Sequence, residues 1–369
     1  MTLIEQINKK RRDIKTDGYP MAISEWVSMY EQGELDIHPE FQRIYRWSDS
    51  QKTGLIESIL LGIPVPPIFV SQRKDGVWDV VDGLQRLSTI FQFLGILKDH
   101  NNKNVSALIL EKTKYLPALG DIQWEAEKSP KNSLPKELQL TFKRSKVSAS
   151  IVLKESDESA KYDLFQRLNT GGSELSPQEV RNCLLLMINK PFFNWLKGLP
   201  TGENFVNTTS LSDRPLEQSY DVELALRFII LSEIPESQLK GMGDVGLFLT
   251  DKMTELAQNR AYKRIQAKKL LESTFGVLNV TLGEDSFKRY NNKKKRHEGG
   301  FLLSLYEAVA LGIAYNIANG TLCSEGEISN RAKSLWSTKE FTDWTASGTT
   351  ASRRLPRIIP LGRTTFSNK

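Results

Sequence analysis

The chain has 369 residues, 39% of them apolar and 25% charged; this can bury a sizeable core, suggests two domains rather than one, and argues against extensive disorder. The net charge of +6 is modest for a nucleic-acid binder. Two well-separated cysteines exclude a disulfide framework or zinc knuckle, and three scattered histidines argue against a self-contained His-Asn-His metal nuclease.

The opening MTLIEQINKKRRDIKTDG has no apolar run of the kind a secretory signal needs. Phe301–Ala318 is long enough to span a bilayer but carries Glu307 and Asn316, so it reads as a buried helix. A cytoplasmic protein with no membrane partner is the expectation.

In chain order, Ile23, Trp26, Val27 and Tyr30 mark a short amphipathic helix, and 35–47 reads as extended and rich in arginine and aromatics. Ser48 and Gln51 form a capping box for a helix presenting Leu55, Ile56, Ile59 and Leu60, stopped by Gly62 and Pro64. Residues 67–73 and 77–82 read as strands joined by an Asp75-Gly76 hairpin turn. Gly83 then breaks into a helix with Leu87, Ile90, Phe91 and Leu94 on one face. Residues 105–110 and 147–153 look like further strands. A helix over Ser159–Leu168 leads to Asn169-Thr170-Gly171-Gly172, and Ser176, Pro177 and Glu179 open the next one. Beyond about residue 190 the pattern is almost wholly helical, with long periodic stretches at 215–232, 246–270 and 300–318. The fold class is therefore α+β, a mixed α/β domain followed by an α-helical one. Its divisions are a basic segment over 1–19, the mixed domain over 20–195, the helical domain over 210–350 and a basic tail over 351–369.

Three constellations could carry chemistry. In the first, a strand turns on glycine into a helix at Asp82-Gly83-Leu84-Gln85-Arg86, aiming free backbone N–H groups and the positive helix end at one spot. There Arg86 could grip an anion with its guanidinium fork, Gln85 offers a neutral donor and acceptor, and Asp82 could orient a metal, a sugar hydroxyl or a water. The plain alternative is an Asp-Gly turn with Arg86 in an ion pair. In the second, Gln42-Arg43-Ile44-Tyr45-Arg46-Trp47 alternates arginine with aromatics, which suits base stacking and phosphate contact, or an edge strand with Tyr45 and Trp47 packed inward. In the third, Asn169, Thr170, Gly171 and Gly172 form either a helix C-cap or a loop feeding an anion-binding helix start. Basic clusters add a polyanion-binding expectation. Lys293, Lys294, Lys295 and Arg296 form one, Lys9 to Arg12 another, and Arg353, Arg354, Arg357, Arg363 and Lys369 lie in a tail without an acid. Solvated loops are the plain alternative for each.

Together the stretches QRIYRW (42–47), LIESILLGIPVPPIFV (55–70), VVDGLQRLSTI (80–90) and FQRLNTGGSELSPQEVRN (165–182) resemble the GmrSD restriction endonuclease N-terminal domain family; the likeness extends weakly to TASGTTASRRLPRII near the end. The resemblance implies a fold like the ParB and sulfiredoxin nucleotide-binding domains, with phosphate bound at the Gly-x-x-Arg turn. It also implies nucleotide binding, often with hydrolysis, inside systems that restrict foreign DNA. The family's frequent Asp-Gly-Gln-Gln-Arg reads Asp-Gly-Leu-Gln-Arg here, and Leu84 is expected to pack rather than touch ligand. The nuclease domain of many relatives is not seen in this sequence.

The leading expectation is a nucleoside-triphosphate-binding, hydrolysing subunit of a restriction or anti-phage system. It would use Mg2+, with Asp82 as the tentative metal ligand and DNA as a partner, alongside a nuclease, helicase or methyltransferase chain. The alternatives are a direct DNA nuclease using the same turn and a non-enzymatic DNA-binding regulatory module.

Overall fold

The computed structural model describes residues 2–5, 15–37, 47–99, 101–127, 129–156, 176–346 and 348–368. Contacts divide the chain into two units, Met1–Glu174 and Leu175–Lys369.

The first unit is built on a five-stranded mixed sheet. Its strands are β1 (Thr16–Ala22), β2 (Leu35–Asp36), β3 (Ile68–Gln72), β4 (Trp78–Asp82) and β5 (Lys146–Val152), in the order β1-β5-β3-β4-β2. The pairs β1/β5 and β3/β4 are antiparallel, whereas β5/β3 and β4/β2 are parallel. Around the sheet lie α1 (Ile23–Glu31), α2 (Asp49–Leu60), α3 (Leu84–Phe93) and α4 (Lys136–Arg144).

The local signals act as expected. Ser48 accepts from the Gln51 N–H while the Gln51 side chain accepts from the Ser48 N–H, starting α2. Between β3 and β4 the turn closes on Gly76 at φ 93°, a conformation that favours glycine. The core gathers Ile68, Val70 and Val80 from the sheet and Leu87, Ile90, Phe91 and Phe93 from α3, while Leu94 is only half-buried. Tyr30 stacks on Phe91 with ring centroids 4.4 Å apart, and the buried Trp26 indole donates to the Val147 carbonyl at 3.1 Å.

Two expectations for this unit are corrected. The first strand begins at Thr16, inside the segment assigned to a basic N-terminal extension, because Thr16–Ala22 pairs in full register with β5. Residues 105–110 are not a strand. Leu108 and Leu110 are buried, which gave the alternating pattern, but Leu108 N–H donates to Gln92 and Leu110 N–H to Ile122 rather than to a sheet neighbour.

The second unit is helical, with one small hairpin. It comprises α5 (Pro177–Gly198), α6 (Glu203–Thr209), α7 (Asp213–Glu217), α8 (Tyr220–Leu231), α9 (Glu236–Leu239), α10 (Val245–Gln258) and α11 (Arg264–Thr281). After the hairpin β6 (Arg289–Asn291) and β7 (Arg296–Glu298) come α12 (Leu303–Asn319), α13 (Glu325–Leu335), α14 (Lys339–Trp344) and α15 (Ala351–Thr365). A capping box of Ser176 and Glu179 opens α5, so this helix, read from sequence as the end of the first domain, packs within the second unit. Inside α5, Asn189 leaves helical geometry; its side chain donates to the Ala257 carbonyl and accepts from the Phe192 N–H, restarting the helix just before Pro191.

The long helical stretches are interrupted at two turns. Ser219 adopts φ 56° between α7 and α8, and the Asn259 side chain accepts from the Ala261 N–H between α10 and α11.

The basic tail is an ordered helix. Leu355, Ile358, Ile359 and Gly362 fall on one buried face of α15, which packs against α12. The two backbones come so close that a Cβ on Gly362 would collide with the Ala308 carbonyl, and one on Gly312 would meet the Gly362 backbone. Gly362→Ala should therefore destabilise this unit by about 1–3 kcal/mol, the usual range for overpacking, measurable by chemical unfolding.

Candidate functional site

The Asp82–Arg86 turn is built by one residue with an unusual backbone. Gly83 ends β4 and precedes α3 at φ 95°, ψ 12°, in the left-handed region. An added Cβ would also collide with the Ile68 side chain. Gly83→Ala should thus lose about 1–2 kcal/mol from backbone strain alone, seen as a lower denaturant midpoint, with the clash adding to it. Among the described residues, no side-chain cap hydrogen bond is present at the start of α3.

Arg86 folds back over this turn. Its guanidinium donates to Asp82 Oδ2 at 2.5 Å, to the Pro67 carbonyl at 2.9 Å, and to the Pro66 carbonyl. Its side chain is only 12% exposed against 38% for Asp82, so the arginine is a half-buried anchor whose carboxylate partner reaches solvent. Burial lowers the Arg86 pKa, against the attraction of Asp82. The ion pair with Asp82 is present, and the guanidinium also holds two prolyl carbonyls. Sequence reasoning missed those carbonyls. The signal was Pro64-Val65-Pro66-Pro67, where three residues without an N–H leave a segment that cannot join a ladder and whose carbonyls need donors.

Leu84 packs on the core, as expected. The Gln85 carbonyl accepts from the Thr89 hydroxyl at 2.7 Å. Trp47 is half-buried against the core, which accounts for it without a ligand. Gln42, Arg43, Tyr45, Asn169, Thr170, Gly171 and Gly172 lie outside the described residues, as does the expected helix over 159–168.

A separate cleft of this unit lies away from the turn. A cavity of about 610 Å³ opens where β4 begins, lined among others by Tyr30, Asp36, Arg73, Lys98 and Asp99. Arg73 spans Asp79, which is buried, and Asp36 at 2.6 Å. Burial works against its charge, but the two carboxylates outweigh it and raise its pKa. This triad fastens β2 beside β4 and the turn out of β3.

The sequence segment 23–186 matches the model of the GmrSD restriction endonuclease N-terminal domain. No curated protein and no solved structure matches the chain. The match supports a coarse function, a role in a restriction system. The GmrSD match contains the whole Asp82–Arg86 turn and runs past Glu174 into α5. No helix among the described residues is long and apolar enough to cross a membrane.

The basic residues outside the GmrSD match fare unequally. Arg354, assigned to nucleic acid from sequence, points inward: it donates to Glu307 at 2.7 and 3.1 Å, and Glu307 is fully buried. Arg353 and Arg357 are exposed, with Arg357 5.7 Å from the centroid of the Trp344 ring. Lys293–Arg296, expected to bind a polyanion or to form a solvated loop, make the tip and start of the returning strand of the β6/β7 hairpin. Lys294 and Arg296 both pair with Glu298, at 3.0 and 2.9 Å. Hydrogen bonds from Asn291, Arg296 and Lys294 lower the Glu298 pKa from 4.5 to about 2. The depressed value means that Glu298 supports the hairpin above pH 4.5 and that this support is lost as pH falls toward 2.

Proposed function

We propose that the chain binds a nucleoside triphosphate at the Asp82–Arg86 turn and hydrolyses it, as a component of a DNA restriction or anti-phage system. The observation that carries this reading is the left-handed Gly83, which sets a helix start with no side-chain cap beside the half-buried Arg86 guanidinium. Backbone N–H groups and a guanidinium at one point form a phosphate cradle. Asp82, held by Arg86 but partly open to solvent, is placed to exchange that partner for a cation brought by the ligand.

Among the described residues no cluster of three or more acidic, histidine or cysteine side chains could hold a metal alone. One carboxylate fits Mg2+ in its usual role, bound mainly by phosphates and water, where it supplies charge neutralisation. In the binding step, the Arg86 N–H released by Asp82 turns to a phosphate oxygen, while the bonds to Pro66 and Pro67 keep the guanidinium in place. DNA is the proposed partner of the chain, with strand cleavage performed by a partner nuclease.

Phosphate release from each of the four triphosphates, measured with Mg2+ and with or without DNA, tests this. Turnover without DNA cutting is expected. Cleavage with no triphosphate added would transfer the turn to a direct nuclease; salt-sensitive DNA binding with neither activity would make the chain a non-enzymatic module.

A further inference from the structure

The β6/β7 hairpin carries five cationic residues and a single acid within Arg289–Glu298. Its tip has a defined shape. Asn291 Oδ1 accepts from the Lys293 and Lys294 N–H groups, each at 3.0 Å, and Lys295 turns the chain at φ 50°. Glu298 gathers Lys294 and Arg296 on one side, yet these two remain 59% and 66% exposed. Lys293 and Lys295 are exposed, with no ion pair to an acid among the described residues.

Beside the tip lies a cleft of about 590 Å³, lined by Arg289, Asn292, Lys293, Trp336, Thr342 and Thr345. Arg289 lies over the half-buried Trp336 ring at 5.7 Å, and Lys333 over the Tyr290 ring at 5.5 Å. Asn292 is held against Ser337 at 3.1 Å, tying the hairpin to the end of α13. A cleft of this size takes a small-molecule-sized group, and its walls offer an aromatic platform, a stacked guanidinium, an amide and hydroxyls. Cations in a row at its rim suit a phosphate backbone.

We propose that this hairpin and cleft bind single-stranded DNA, with the phosphates along Lys293–Arg296 and one unpaired base in the cleft against Arg289 and Trp336. The site lies in the second unit, outside the family match. It deepens the DNA-partner part of the proposed function and rests on it. Duplex DNA keeps its bases stacked and offers only its phosphates to the tip, so the cleft predicts a preference for the single strand.

The test is fluorescence anisotropy of the full chain with a labelled single-stranded oligonucleotide and with the duplex of the same sequence, over a range of salt. Wild type should bind the single strand more tightly. Lys293→Gln with Lys295→Gln, both on exposed side chains, should weaken it roughly tenfold and reduce the salt slope by about 0.7 per lost contact. Trp336→Leu should weaken the single strand about five- to a hundredfold and leave the duplex unchanged, with partial recovery in Trp336→Phe. Unchanged affinity and slope in the double lysine variant, or wild-type preference for the duplex, would overturn the proposal. Triphosphate binding by the same variants should equal wild type. A wild-type chain that binds triphosphate but not DNA therefore sinks this site alone, and one that binds DNA but not triphosphate sinks only the nucleotide reading.

Discussion

Replacing Arg354 with alanine should destabilise the helical unit by about 3–5 kcal/mol and leave DNA affinity unchanged. The reason is a chain of buried charge. Arg181 of α5 donates to Glu223 of α8 at 2.7 Å, and Arg227 joins that Glu223 at 2.8 Å to Glu307 of α12 at 3.3 Å. Arg354 of α15 closes the chain with two bonds to Glu307. Burial opposes the charge of Arg227, yet Glu223 and Glu307 hold its pKa above the ordinary arginine value. Removing Arg354 leaves Glu307, with no exposed surface, sharing only the longer contact from Arg227. For a unit of this size the loss corresponds to a fall in Tm of about 6–20 °C. If Arg354 instead contacted DNA, its removal would leave Tm in place and lower the salt slope of binding.

The second large effect is expected at the turn. Arg86→Gln removes the guanidinium N–H proposed to turn to phosphate, a charge-assisted bond worth about 1.5–3 kcal/mol, or roughly ten- to a hundredfold in triphosphate affinity. The same substitution leaves the Pro66 and Pro67 carbonyls without their donor, for a further loss of about 1–3 kcal/mol in folding stability. Binding and unfolding must therefore be measured together. Asp82→Asn separates the two roles: it removes the carboxylate that holds Arg86 while sparing the bonds to the prolyl carbonyls. It should lower the Mg2+ dependence of triphosphate binding with a smaller change in stability.

How far the sequence speaks for this fold depends on the range of the forces involved. The Asp75-Gly76 turn, the Ser48 and Ser176 capping boxes and the break at Gly83 are set by neighbouring residues, and all are legible. The spacing of Leu355, Ile358 and Ile359, buried on one face of α15, is a signal of the same short range. What escaped depends on distant partners. Thr16–Ala22 has a weak strand signal of its own and becomes a strand because β5 lies beside it. Arg354 reads as one of several exposed cations until Glu307, 47 residues earlier, is brought beneath it. Likewise the fork of Arg86 was legible, but the Pro66 and Pro67 carbonyls that occupy it, some 20 residues away, were not.

On the proposed function, the Asp82–Arg86 turn holds a triphosphate. The most direct measurement is calorimetric titration of the full chain with each of the four nucleoside triphosphates in Mg2+, on wild type and Arg86→Gln, at a temperature where both are folded. Saturable binding of at least one triphosphate, weakened ten- to a hundredfold by the substitution, is the predicted result. Equal affinities in the two proteins, or no binding of any triphosphate to wild type, would contradict it.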